Sequence, residues 1–393
     1  MKMLIVWEKF YGLSNVGHYH TQIKAIHNLA PEAKLIVLCS KNVQKIDNFL
    51  SQKQVIPCLF EKKTIIKNPQ FYAQKIQKSL DKLSVTWGAH SLEILVPSAD
   101  FSDLLTIIEM ANDITFPKKF HLRIINPKDV RKLSSKHIKS LRTHISEKKI
   151  ILLSETENLK IYLWKNLRLN VAHSFHLPCI IQPEHPLTKM NKKTGKVKVL
   201  FLGGLRGEKG YYKLPKIIRE FYHIIEDTKE HSCIEFLFEK NTQKPKRFLN
   251  TLFSIKRKYT EIQFAKIKKE IDEKKVKIKR FQSGLEDSEY IKLINDADII
   301  LLPYKLKSYQ NRGSGVIADG VLAGKIFIYT QGIGMESFLN YGNGLPSTNH
   351  LSFASNLKKS IEDIESLNQK TQTARNDYLE SLRKTSLYIN NLI

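Results

Sequence analysis

Two short stretches of the chain hold residue types that bind anions. "GGLRGEKG" (203–210) puts Gly203 and Gly204 at the end of an apolar run and follows them with Arg206 and Lys209. Glycines let backbone N–H groups approach an anion, and the guanidinium and ammonium neutralise it, so a pyrophosphate is the natural guest. Lys209 is not followed by Ser or Thr, which excludes a Walker P-loop, and the glycine spacing is not the GxGxxG dinucleotide fingerprint. A tight turn with solvated charges on its rim has the same composition. The second stretch is "RGSGVIADGVLAG" (312–324). Ser314 suits a helix N-cap, and Gly313 and Gly315 keep side chains out of the way. The amides of Gly315, Val316 and Ile317 would then face a ligand with the positive end of the helix dipole, which is a phosphate site. Asp319, about one turn in, is placed to accept from a ribose or sugar hydroxyl; in a plain capped helix it is an acid in a favourable early turn. Gly320, Ala323 and Gly324 read as close packing of that helix on a sheet. In "TQGIGMESF" (330–338), Glu336 either reaches a ligand or caps the next helix.

These loops need elements to hold them. Short apolar runs alternate with amphipathic segments along the chain. In the first half, strands are predicted at 3–7, 34–40, 91–99, 121–126 and 149–156, with helices at 17–30 and across "DLLTIIEMAN" and "KDVRKLSSKHIKSLRTHI". The proline-containing, then basic stretch 177–196 breaks the pattern. The second half restarts it: strands at 197–204, 233–239, 276–281, 298–304 and 325–330, a basic helical segment over about 244–273, and a helical tail. This alternation predicts an α/β chain of two doubly wound, Rossmann-like parallel sheets. The expected domains are 1–182, a linker 183–196, 197–370, and a C-terminal helix 371–393 packing back towards the first domain. In such sheets ligands sit beyond the carboxyl ends of the strands, where both glycine-rich loops fall.

Bulk properties narrow the function. The chain has 393 residues, 42% of them hydrophobic, enough for two cores. No apolar run approaches the ~18–20 residues of a membrane span. "MKMLIVWEKFYG" reads as a first core strand and not as a signal peptide. Cys39, Cys58, Cys179 and Cys233 form no CxxC, which argues against structural zinc and a disulfide framework and fits a cytoplasmic protein. The net charge is +26. Attraction to an anionic membrane surface accounts for it as well as lysine-rich composition does. Nucleic acid is disfavoured, since no RNP-like, zinc-finger or helix-turn-helix signature accompanies the charge. Metal is not expected: "ADFSD" (99–103) has the wrong spacing for a DxD site.

From "GGLRGEKG" through "EYIKLINDADIILLPY" to "RGSGVIADGVLAGKIFIYTQGIGMESF", residues 197–340 resemble the second half of GT-B nucleotide-sugar glycosyltransferases, above all the retaining glycosyltransferase 4 group. The resemblance implies two domains facing each other across a cleft, a nucleotide diphospho-sugar held by the second and an acceptor by the first. "GHYHTQIKAI" and "IILLSETENLKIYLWKNL" are compatible with the acceptor domain. It implies that Arg206 and Lys209 stabilise the departing diphosphate with no metal and no cofactor, the nucleotide sugar being co-substrate. Gly203, Gly204, Asn311, Gly313, Ser314, Gly315, Val316 and Asp319 would bind the donor. A first-domain histidine would touch the reacting sugar, the candidates being His18, His90 and His121. The acceptor would be a glycan or a lipid-linked saccharide, which places the protein on the inner face of the membrane. The chain departs from the group in three ways. Where the group has Glu, seven residues and Glu, this chain has Asn311 and Asp319, and Arg206 stands closer to Lys209 than is usual. Asn311 keeps open a GT-B-shaped ligand-binding or partner protein without turnover, and a nucleotide-sugar epimerase on the same scaffold is a further alternative.

Overall fold

The computed structural model describes residues 3–13, 18–44, 46, 48–87, 92–112, 118–187, 196–204, 206–226, 233–240 and 251–393. The chain divides into two compact units. The first is Met1–Cys179 with Asn311–Gly313 and Glu380–Ile393; the second is Ile180–Gln310 with Ser314–Leu379.

In the first unit the strands are β1 (Met3–Trp7), β2 (Lys34–Ser40), β3 (Val55–Leu59), β4 (Leu92–Ala99), β5 (Lys118–Ile124), β6 (Ile150–Ser154) and β7 (His173–Ser174). The helices are α1 (His18–Leu29), α2 (Lys62–Lys67), α3 (Pro69–Trp87), α4 (Phe101–Ala111), α5 (Pro127–Arg131), α6 (Ser135–Ser146) and α7 (Glu157–Leu167). The sheet order is β3-β2-β1-β4-β5-β6-β7, with every described pairing parallel. The apolar runs of the inner strands are nearly continuous because both of their faces are covered. Ile5 and Trp7 enter one core with Ile36, Leu38 and Ile94, while Leu4 and Val6 enter another with Val37, Leu95 and Ile389. The segment read as one helix, "KDVRKLSSKHIKSLRTHI", is two, because Ser134 caps α6 by accepting from the His137 amide.

The second unit repeats the topology. Its strands are β8 (Lys196–Phe201), β9 (Cys233–Glu239), β10 (Val276–Phe281), β11 (Ile299–Leu302), β12 (Ile326–Thr330) and β13 (Gly344–Ser347). Its helices are α8 (Leu214–Ile225), α9 (Thr251–Glu270), α10 (Asp287–Asp296), α11 (Leu306–Tyr309), α12 (Gly315–Leu322) and α13 (His350–Glu362). A last helix, α14 (Ile364–Asn390), supplies residues to both units. The order is β10-β9-β8-β11-β12-β13, again all parallel. Gly320 is where α12 meets the sheet: a Cβ there would lie 2.5 Å from Ile300 and 2.7 Å from Phe327. Both sheets are doubly wound, and strand order reverses between β1 and β4 in the first and between β8 and β11 in the second. The linker expected at 183–196 lies mostly outside the described residues, as does the start of the basic segment expected from 244.

Candidate functional site

In the second unit the reversal point joins the loops after β8 and β11. Beyond Phe201 the chain turns through Gly203 and Gly204, and a short 3-10 turn over Gly207–Lys209 follows. Gly210 closes it at φ +88°, and a Cβ there would fall 2.0 Å from the Pro303 carbonyl oxygen. Only glycine fits this combination of left-handed backbone and close approach. The Lys305 amide donates to the Glu208 carbonyl (2.8 Å), so the two loops are also tied by a backbone hydrogen bond.

Tyr304, fully buried, is the hub of this region. The Lys209 ammonium lies over its ring, 5.2 Å from the centroid. Its hydroxyl pairs with Ser314 Oγ at 3.1 Å, and its carbonyl accepts from Thr330 Oγ1 (2.8 Å) and Lys213 Nζ (3.4 Å). One side chain therefore touches both glycine-rich stretches. Burial pushes the Tyr304 hydroxyl above its ordinary range and the Lys213 ammonium below its own. Lys209 itself is buried, 7% exposed, whereas Arg206 is exposed and donates through Nε to the Gly203 carbonyl (3.2 Å). Glu239, at the end of β9, stands beside Gly204; its carboxyl is raised by burial, against the pull of Arg206 and Arg257.

Ser314 occupies the N-cap position of α12, but its hydroxyl goes to Tyr304 and makes no cap hydrogen bond. The Ser314 amide donates to Met335 Sδ (3.2 Å), and the Ser314 carbonyl accepts from Ile317 and Ala318. Among the described residues no side-chain hydrogen bond caps the helix start at Gly315 and Val316. Asn311 and Gly313 group with the first unit. There the Gly313 amide donates to Glu155 Oε2 (2.8 Å), Thr156 Oγ1 donates to the Asn311 carbonyl (3.5 Å), and Glu155 also pairs with Arg123.

Two expected ligand contacts are taken up inside the protein. Asp319 is fully buried; Oδ1 accepts from the Ile181 amide (2.8 Å) and Oδ2 from the Tyr290 hydroxyl (2.9 Å). A carboxylate with both oxygens engaged and no exposure is a structural tie, so the ribose or sugar role expected for it is corrected. His121, in β5, is 2% exposed and held between Glu93 and the Tyr388 hydroxyl. It fastens α14 to the first sheet, and its expected contact with a sugar is corrected likewise. His18 begins α1, but its side chain, like all of His90, lies outside the described residues. Glu336 accepts from the Gly332 amide (3.0 Å) and shapes its own loop.

The first unit has a polar cluster at its own reversal point that the sequence reading missed. Lys9 Nζ binds Asp100 (2.6 Å), Ser102 Oγ (2.7 Å) and Asp103 (3.1 Å), and Asp103 also accepts from Trp7 Nε1 (3.0 Å). Beside them Glu8 is 2% exposed, and its Oε2 has no hydrogen-bond partner. Burial pushes its carboxyl up to about 8. Tyr304 was missed for a different reason: at the end of "DIILLPY" it reads as one more strand residue. Its signal is the preceding Pro303, which ends the strand beside the expected ligand loops.

No protein-family model and no curated protein matches the chain. Solved structures match it over its whole length. A glycosyltransferase from Rickettsia africae ESF-5 has a TM-score of 0.66 at 14% identity, covering 100% of this chain and 98% of that one. The E. coli trehalose-6-phosphate structure bound with UDP-2-fluoro glucose has 0.65 at 10%, covering 100% and 99%. Anabaena HepE, in complex with UDP and glucose, has 0.59 at 12%, covering 100% and 98%. At these identities the likeness is one of fold, and the fold is GT-B.

Proposed function

We propose that the protein is a glycosyltransferase that moves a sugar from a nucleotide diphospho-sugar to a glycan or lipid-linked acceptor. The observation that carries this reading is Tyr304, which joins Lys209 to the open start of α12 through one buried side chain. The two cations and the first amides of α12 form a preorganised cradle for a diphosphate. Breaking the sugar–phosphate bond leaves negative charge there, and Arg206, Lys209, Gly315 N–H and Val316 N–H stabilise it without rearranging. Gly203 and Gly204 give the phosphates room to approach the backbone. Transfer with retention and without a metal follows from the resemblance of 197–340 to the retaining group. UDP-2-fluoro glucose in the E. coli structure and UDP with glucose in the Anabaena one put UDP-sugars first among donors to test. Synthesis of a surface polysaccharide or lipopolysaccharide-type glycan, at the inner face of a membrane, is the setting that a lipid-linked acceptor implies.

The competing reading is a GT-B-shaped protein that binds nucleotide sugars without turnover, and Asn311 in place of an acid favours it. A melting-temperature screen against UDP-, GDP-, ADP-, CMP- and dTDP-sugars, followed by transfer and hydrolysis assays on whichever binds, separates the two. The transferase stabilises with one donor and turns it over, and Lys209→Ala abolishes turnover while the far-UV spectrum stays unchanged. Stabilisation without turnover supports the competing reading. If no nucleotide sugar or nucleoside diphosphate shifts the melt at millimolar concentration, both readings fail.

A further inference from the structure

We propose that the outward face of α9, in the second unit, is a lipid-docking surface that seats Ile255, Tyr259 and Ile262 among the headgroups of an anionic bilayer. The helix has two faces. Phe264 and Ile267 are buried in the core of the second unit, with Thr260 and Ile271 buried on the same side. Ile255, Tyr259 and Ile262 follow the i, i+4, i+7 spacing of one stripe on the other side, and they are 58%, 63% and 46% exposed. Lys266 continues that stripe, with Lys256 and Lys258 to its flanks.

The charge around the stripe is uncompensated. The acids of α9, Glu261 and Glu270, are already paired, to Arg280 (2.7 Å) and Arg219 (3.0 Å). Among the described residues Lys256, Lys258, Lys266, Lys268 and Lys269 make no ion pair. An apolar strip ringed by free lysines matches the layering of an anionic bilayer surface, where lysine stems lie along the apolar zone and their heads reach the phosphates. Tyr259 adds an apolar ring with a polar tip, suited to the same depth. A second copy of the chain fits less well. Face-to-face pairing would set lysines against lysines, and three side chains fall far short of the ~800 Å² per partner of a stable interface. The surface is separate from the diphosphate cradle; it rests on the transferase reading only in that a lipid-linked acceptor gives such docking a purpose.

The test is co-sedimentation of the full chain with vesicles of phosphatidylcholine, alone or mixed with phosphatidylglycerol, in the absence of donor. Binding is expected to the mixed vesicles only, and to weaken with added salt. The variant I255S/Y259S/I262S should bind roughly tenfold or more weakly, by the apolar surface it removes. K258Q/K266Q should also lose roughly 25-fold, at about fivefold per lysine. Both variants alter exposed positions, so an unchanged melting temperature is expected. Failure of the unaltered chain to bind mixed vesicles overturns the proposal, and so does undiminished binding by the triple serine variant. A drop in oligomeric state for that variant, read by light scattering, overturns it in favour of self-association. Transfer to a water-soluble acceptor is measured in parallel, so loss of docking and loss of catalysis are scored separately.

Discussion

Replacing Gly210 by alanine tests whether the loop after β8 is held in place by contact with the loop after β11. The methyl group would sit 2.0 Å from the Pro303 carbonyl oxygen, 2.7 Å from its carbon and 2.9 Å from Cγ. Contact distances for such atoms are about 3.5 Å, so the loops must part by roughly 1 Å or more. The obstacle is mostly backbone, which cannot rotate aside. A left-handed backbone adds about 1–2 kcal/mol for a residue with a Cβ, and the overpacking adds about 1–3 kcal/mol. The sum, about 2–5 kcal/mol, corresponds to a fall in melting temperature of roughly 5–15 °C for a unit of this size. Gly284→Ala is the matched control: its φ is also positive, +75°, but nothing lies within 4 Å of the added methyl. It should cost only the backbone share, about 1–2 kcal/mol. Differential scanning calorimetry of both variants, with and without UDP, gives the readout. Gly210→Ala should also lose the UDP stabilisation that the proposed transferase reading expects, because Lys209 moves with the loop. Equal losses in the two variants would refute the reasoning, since close approach to Pro303 would then contribute nothing.

Two further substitutions probe the buried acids. Asp319→Ala leaves the Ile181 amide and the Tyr290 hydroxyl without their partner, and should destabilise by about 2–4 kcal/mol in a chemical melt; a variant of normal stability with weakened nucleotide binding would restore Asp319 to the ligand. Glu8 holds its proton up to about pH 8 in the folded chain, against 4.5 ordinarily, so between those values the unfolded state has released a proton that the folded state keeps. Its contribution to stability is full below about pH 4.5 and declines as pH rises towards 8. Glu8→Gln should flatten that decline, and melts of both proteins across the window showing the same slope would contradict it.

Much of the fold could be read from the chain because parallel strands covered on both faces are nearly unbroken apolar runs. "CIEFLFE" is β9 to the residue, and "VKIKRF", whose apolar and basic residues largely alternate, is the edge strand β10 to the residue. β3 and β13 were not anticipated. Each contains an exposed proline, Pro57 and Pro346, which interrupts the strand signal and is tolerated only at a sheet edge. The tail read as one helix breaks between α13 and α14 at Asp363. The candidate site was legible where backbone chemistry dictates it: glycine turns and an open helix start are local properties. It was not legible where a side chain's partner is remote. Asp319 is tied to Ile181 across 138 residues, and His121 to Tyr388 across 267, so spacing alone cannot distinguish them from ligands. Ser314 looks like a cap until Tyr304 takes its hydroxyl.

Those edge prolines have a consequence for how the chain meets its own copies. A parallel sheet ends in rows of unpaired amides and carbonyls, which can recruit a strand from another molecule. Here each edge is blunted differently. β3 and β13 carry a proline, β7 is two residues long, and β10 presents Lys277, Lys279 and Arg280 within six residues. Each of the four edge segments thus carries its own local obstacle to pairing with a strand from another copy.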